Sequence, residues 1–217
     1  MRIFALFLPC LFLTGLLFLE VKMNKSYIKK ISLCGILGAL GFVLMLLEFP
    51  LPFIIPSFIK LDFSEIPALI SAFAYGPVYG ILVCLIKNLL HLFVTSSAGV
   101  GELSNFVLGV IFVGAAGLVY KKIHSRKGAL IGSLMGAFIM AVISIFTNYF
   151  VVYPAFSVLY GLPMDAILGM YKALLSSIDN LFEALIIFNL PFNLAKGILD
   201  AAICFVIYKK ISPILKS

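Results

Sequence analysis

Charge is what this sequence has least of. Only 12% of its 217 residues are Asp, Glu, Lys or Arg, against roughly 25% in soluble domains, and that shortage excludes an ordinary water-soluble fold. In its place 63% of the chain is hydrophobic. Apolar stretches of about 20 residues recur, each long enough to cross a hydrocarbon core roughly 30 Å thick. A backbone at that depth must satisfy its own hydrogen bonds, so helices are the expected spans. No sustained period-two alternation occurs, which argues against a transmembrane β-barrel. The expected fold class is an all-α integral membrane protein.

Cysteine and histidine are also scarce. Cys10, Cys34, Cys84 and Cys204 stand singly in apolar segments without C-x-x-C spacing, so they read as small core residues and not as a disulfide framework or metal site. His91 sits near a helix end and His124 in a basic loop, where solvated or interfacial roles are expected; no metal is assigned. The sequence has no G-x-x-x-x-G-K-[ST] phosphate loop, no H-E-x-x-H and no Ser/His/Asp set. The chain is therefore expected neither to hydrolyse ATP by itself nor to be an enzyme, and no catalytic residue is assigned. The net charge of +7 lies in clusters beside apolar runs. Topology and anionic lipids account for it, and no nucleic-acid partner is expected.

The segment 1–22 resembles half a signal peptide without a cleavage site. It is expected to be an extension from a misassigned start, with Met23 as the natural beginning; an extra membrane helix is the alternative. Residues 23–217 then form one membrane domain with six candidate spans: 31–49, 65–75, 78–94, 103–120, 129–152 and 186–208. The second is too short to cross at about 1.5 Å per residue, so it must be tilted, extended or buried against neighbours. Gly76-Pro77 makes a tight hairpin of the second and third. Lys22, Lys25, Lys29 and Lys30, then Lys121, Lys122, Arg126 and Lys127, then Lys209, Lys210 and Lys216 share one side if both termini are cytoplasmic. Asp62, Glu65, Glu102, Asp165, Asp179 and Glu183 fall toward the other, with 51–62, 95–102 and 153–180 outside.

Polar residues inside apolar spans carry the chemistry, because the membrane tolerates them only at a cost. Lys87 and Asn88, and Lys196 and Asp200, lie well inside theirs; Lys87 is expected to pair with Asp200 or Glu102, or else to face a cavity. Near the outer face gather Asp62, Ser64 and Glu65; Glu102, Ser104 and Asn105; Asn148 and Tyr149; and Asn189, Asn193 and Lys196. Interleaved with Phe63, Phe106, Tyr149, Phe188 and Phe192, these amides and this lysine suit a flat heteroaromatic ligand. Pro191 is expected to interrupt the sixth span where it lines that cavity.

The runs Leu61-Asp62-Phe63-Ser64-Glu65-Ile66-Pro67-Ala68-Leu69, Ala72-Phe73-Ala74-Tyr75-Gly76-Pro77, Leu85-Ile86-Lys87-Asn88-Leu89-Leu90-His91, Gly101-Glu102-Leu103-Ser104-Asn105-Phe106 and Pro191-Phe192-Asn193-Leu194-Ala195-Lys196-Gly197 resemble, in order and spacing, the riboflavin-binding S components of energy-coupling-factor (ECF) vitamin transporters. The resemblance covers Met23 to the C-terminus. It implies a six-helix subunit in a bacterial cell membrane that captures riboflavin from outside, with FMN a second candidate ligand. A transmembrane coupling subunit and two cytosolic ATPases would be its partners. By the same resemblance Asn148, Asn193 and Lys196 contact the ligand, with Asp62, Phe63, Glu102 and Asn105 in support. The family docks through small residues on its first helix, a role that falls here to Gly35, Gly38 and Ala39 where the family typically has alanines. The residues alone leave three alternatives: an ion-coupled secondary transporter using Lys87, Asp200 and Glu102, an intramembrane lipid enzyme, and an S component for thiamine or biotin.

Overall fold

The computed structural model describes residues 25–216, with side chains through 208; the expected extension 1–22 lies outside the described residues. The first helix, α1 (Lys25–Leu46), leads to a two-residue strand, β1 (Phe49–Pro50), which pairs antiparallel with β2 (Lys60–Leu61). After them come α2 (Glu65–Tyr75), α3 (Pro77–His91) with a 3₁₀ turn at Leu92–Val94, α4 (Val100–Lys122) and α5 (Arg126–Thr147). A π-turn, Asn148–Val152, joins α5 to α6 (Tyr153–Tyr160). The remainder is α7 (Met164–Lys172), α8 (Leu181–Ala184), a second π-turn at Leu185–Asn189 and α9 (Leu190–Lys216).

Five helical segments are long and apolar enough to cross a membrane: Lys25–Leu46, Pro77–Val94, Val100–Lys122, Arg126–Tyr160 and Leu181–Tyr208. The short α2 is buried from Glu65 to Phe73, packed among α1, α3, α4 and α9. Of the three fates open to so short a helix, burial against neighbours is the one realised, and α2 forms the axis of the bundle. Large apolar residues such as Ile36, Val78, Phe138 and Val206 point outward instead, the arrangement a lipid solvent favours. Cys34, Cys84 and Cys204 are buried, as core residues should be.

Three expectations change. The span expected at 129–152 runs eight residues further as one helix to Tyr160, which takes the first eight residues, α6, from the segment 153–180 that was expected to lie outside; α7 lies in the remainder. The interruption expected at Pro191 is a widening of the helix just before it. A proline ring collides with the carbonyl four residues back and donates no hydrogen bond; admitting one extra residue into the preceding turn removes the conflict. The same solution appears twice, because Pro154 follows the first π-turn at the same two-residue distance as Pro191 follows the second.

Candidate functional site

The ends of these elements enclose a cavity of about 170 Å³. The 49–61 segment covers it with Phe58, whose ring meets Tyr153 edge-on at 5.9 Å and Phe156 at 6.2 Å. Lys60 of β2 pairs with Glu48, two residues beyond the end of α1, which ties the cover down. Asp62, Glu102, Asn105, Asn148, Asn193 and Lys196 all line this one cavity. Phe63 does not; it packs on Phe49 at 6.5 Å and touches both apolar cores, behind the cavity wall.

Asp62 and Lys196, 134 residues apart, meet with Nζ 2.6 Å from Oδ2. Asp62 is buried, which by itself would raise its carboxyl pKa. The ammonium groups of Lys196 and Lys87 and the hydrogen bonds from Lys196 and Ser64 outweigh that and hold it below the usual carboxylate range. Its other oxygen accepts the Ser64 backbone N–H at 2.9 Å.

Lys87 is fully buried and does not line the cavity. It pairs with Glu65 at 2.8 Å, and donates to Asn105 Oδ1 at 2.8 Å and Ser64 Oγ at 2.5 Å. The expected pairing with Asp200 or Glu102 is thus replaced. Glu65 opens α2 at the depth of Lys87, and Gly109 on α4 leaves room for its carboxylate: a Cβ there would lie 2.6 Å from Oε1. Glu102 is engaged elsewhere, and Asp200, one turn beyond Lys196, is fully buried with no hydrogen-bond partner among the described residues.

His91 was expected to be solvated or interfacial, yet it is buried. Its Nδ1 lies 2.8 Å from Glu102 Oε1, and Ser97 donates to the other carboxylate oxygen at 2.7 Å. The short connection from α3 to α4 folds the last turn of one onto the first turn of the other, which no reading of His91 as a helix end anticipates.

The amides are oriented by their neighbours. Asn193 uses its Nδ2 on Ser144 Oγ at 3.1 Å and on the Asn189 carbonyl at 2.9 Å, which leaves Oδ1 as an acceptor. Asn105 spends its Oδ1 on Lys87 and so offers an N–H donor. Sequence reasoning missed His91, Phe58, Tyr153 and Ser97 in the cavity wall. The available signals were the His91-to-Glu102 spacing across a short loop and the placing of Tyr153 beside Pro154.

A family model for the ECF transporter, substrate-specific component, matches residues 29–208. Among curated proteins, riboflavin transporter RibU of Staphylococcus aureus (strain TCH60) is 32% identical over 196 residues, covering 90% of this chain and 96% of that protein. Riboflavin transporter FmnP of Bacillus subtilis (strain 168) is 34% identical over 189 residues, covering 86% and 93%. A solved structure described as "Structure and mechanism of the S component of a bacterial ECF transporter" superposes with a TM-score of 0.67 at 32% identity, over 87% of this chain and 98% of that one.

Proposed function

The chain belongs to the ECF transporter substrate-specific component family, and from that premise we propose that it is the riboflavin-binding subunit of an ATP-driven importer in a bacterial cell membrane. The observation that carries the reading is the convergence of Asn148, Asn193, Lys196, Asp62, Glu102 and Asn105 on one cavity, in a chain whose relatives are named riboflavin transporters. The pyrimidine edge of an isoalloxazine presents acceptor, donor and acceptor in a row. Asn193 Oδ1 meets the central N–H, and the Asn148 amide and the Lys196 ammonium meet the flanking carbonyls. Phe63 supports the wall from behind.

Binding precedes translocation, and no covalent chemistry is involved. Ligand pockets usually measure roughly 300–1,000 Å³, so a cavity of about 170 Å³ has to open before a flavin enters. The 51–62 segment is the gate, since Phe58 and Lys60 close the cavity from that side. Residues 23–217 form the membrane domain, six membrane-embedded helices counting α2, with both termini cytoplasmic as the lysine clusters favour; residues 1–22 are a dispensable extension. A transmembrane coupling subunit and two cytosolic ATPases supply the energy. Gly35 and Ala39 face outward on α1, with open space beside Gly35, and form the docking face. Gly38 packs inward, where a Cβ would lie 2.5 Å from Ile86, so its smallness serves the bundle.

Titration of the detergent-solubilised protein with riboflavin, FMN, thiamine and biotin tests the assignment. Tight one-to-one binding of riboflavin alone, or of riboflavin ahead of FMN, agrees with it. Preference for thiamine or biotin, or gradient-driven transport by the purified chain alone, contradicts it.

A further inference from the structure

The side chains of Tyr153, Tyr171 and Asn189 close a ring of three hydrogen bonds. Tyr171 donates to Asn189 Oδ1 at 2.5 Å, Asn189 Nδ2 donates to the Tyr153 oxygen at 3.2 Å, and the two hydroxyls lie 2.6 Å apart. Since Tyr171 spends its proton on Asn189, the bond between the hydroxyls must run from Tyr153 to Tyr171. Each hydroxyl then donates once and accepts once. All three residues are at most 1% exposed.

The ring spans three separate parts of the chain. Tyr153 immediately follows the first π-turn, Asn189 ends the second, and Tyr171 comes from α7, between them in sequence. Tyr153 and Asn189 line the cavity, whereas Tyr171 does not. Each cavity-side member also holds one proposed ligand contact. The backbone N–H of Tyr153 donates to the carbonyl of Asn148, and the carbonyl of Asn189 accepts from Asn193 Nδ2 at 2.9 Å. π-Turns lack the regular register of an α-helix, so the relative placement of Asn148 and Asn193 needs a tie between the two turns, and this ring supplies one.

We propose that Tyr171 is a positioning residue for ligand binding: from outside the cavity, its hydroxyl braces the direct Asn189–Tyr153 bond that ties the two π-turns, and so sets the spacing of Asn148 and Asn193. The proposal rests on the riboflavin reading and adds to it a role for α7, a segment without any cavity-lining side chain of its own. It also accounts for a buried tyrosine at a site where a phenylalanine would fill the same space, since the Tyr171 ring already packs on Phe188 at 5.6 Å.

The test compares Tyr171→Phe, Tyr153→Phe and the double variant with wild type, by riboflavin affinity, dissociation rate and thermal unfolding of the ligand-free protein. Phenylalanine keeps the ring packing and removes one hydroxyl. Each single variant should stay folded, with riboflavin binding about tenfold weaker, the change carried by faster dissociation. The double variant should lose less than the two single losses combined, because the bond between the two hydroxyls is common to both changes. Folded variants that bind like wild type would overturn the proposal. So would losses that add fully, or failure of both single variants to fold, which would make the ring a plain structural support. Absence of riboflavin binding in wild type would instead remove the parent reading, and this inference with it.

Discussion

Lys196 has two roles that ordinary truncation confuses. Its ammonium neutralises the buried Asp62 at 2.6 Å, and in the proposed mode it also meets a flavin carbonyl. Lys196→Ala strands a buried carboxylate, a change that costs about 3–5 kcal/mol in comparable pairs. Combining it with Asp62→Asn removes the stranded charge, so thermal unfolding of the double variant should return toward wild type while riboflavin affinity stays weak. Recovery of both would show that Lys196 serves only the ion pair. The pair also has a predictable pH response. Asp62 is held below the ordinary carboxylate range, so its stabilising contribution is fully present above the unfolded value of about 4 and is lost only as pH falls through the lower folded value. Thermal stability measured from neutral pH down to about 5 should show no loss from this group. Residue identities were legible at this scale, but pairings were not. Lys87 was read as a buried charge that pairs with Asp200 or Glu102 or else faces a cavity; that its partner is Glu65 depends on depth along three helices and on the space beside Gly109, which no linear spacing encodes.

Among the elements, long apolar runs announced themselves because every residue of a membrane helix contributes to the same signal. The hairpin of α2 and α3 was legible from Gly76-Pro77, whereas the 11-residue length of α2 left it tilted, extended or buried against neighbours, and only packing decides for the last. The π-turns were only half legible: Pro191 marked a disturbance, yet the form it takes, and its repetition before Pro154, follow from how the backbone relieves a proline inside a helix. The 153–180 segment was placed outside from the charge pattern alone, which says nothing of its helices: α6 continues the preceding span and α7 is anchored by buried Ile167 and Tyr171. The covering segment 51–62 makes the clearest element-scale prediction. Phe58→Ala removes two edge-on aromatic contacts, each worth about 0.5–1.5 kcal/mol beyond area burial. Both association and dissociation of riboflavin should then accelerate severalfold in stopped-flow measurements. Unchanged rates would mean that the segment is not the gate.

At the level of the whole molecule, the proposed reading gives binding and coupling different surfaces. The cavity lies where the 49–61 segment and the ends of several helices meet, while Gly35 and Ala39 lie on the outward face of α1. Replacing both with leucine should abolish riboflavin uptake and co-purification with the coupling subunit, and leave riboflavin affinity in detergent unchanged. Gly38→Leu should instead lower thermal stability, because its side chain would enter the space of Ile86. Loss of affinity in the Gly35→Leu/Ala39→Leu variant would contradict the separation.

In the proposed function a single cavity, with Asn193 at its wall, binds riboflavin. Its most direct test is a titration of the purified, detergent-solubilised protein followed by quenching of flavin fluorescence, with Asn193→Ala measured in parallel. Tight one-to-one quenching by wild type, weakened about tenfold or more in a variant that remains folded, is the predicted result for loss of a buried hydrogen-bonding partner. A folded wild-type sample that leaves riboflavin fluorescence unchanged, or an Asn193→Ala variant that binds as tightly as wild type, would rule out this cavity as the riboflavin site.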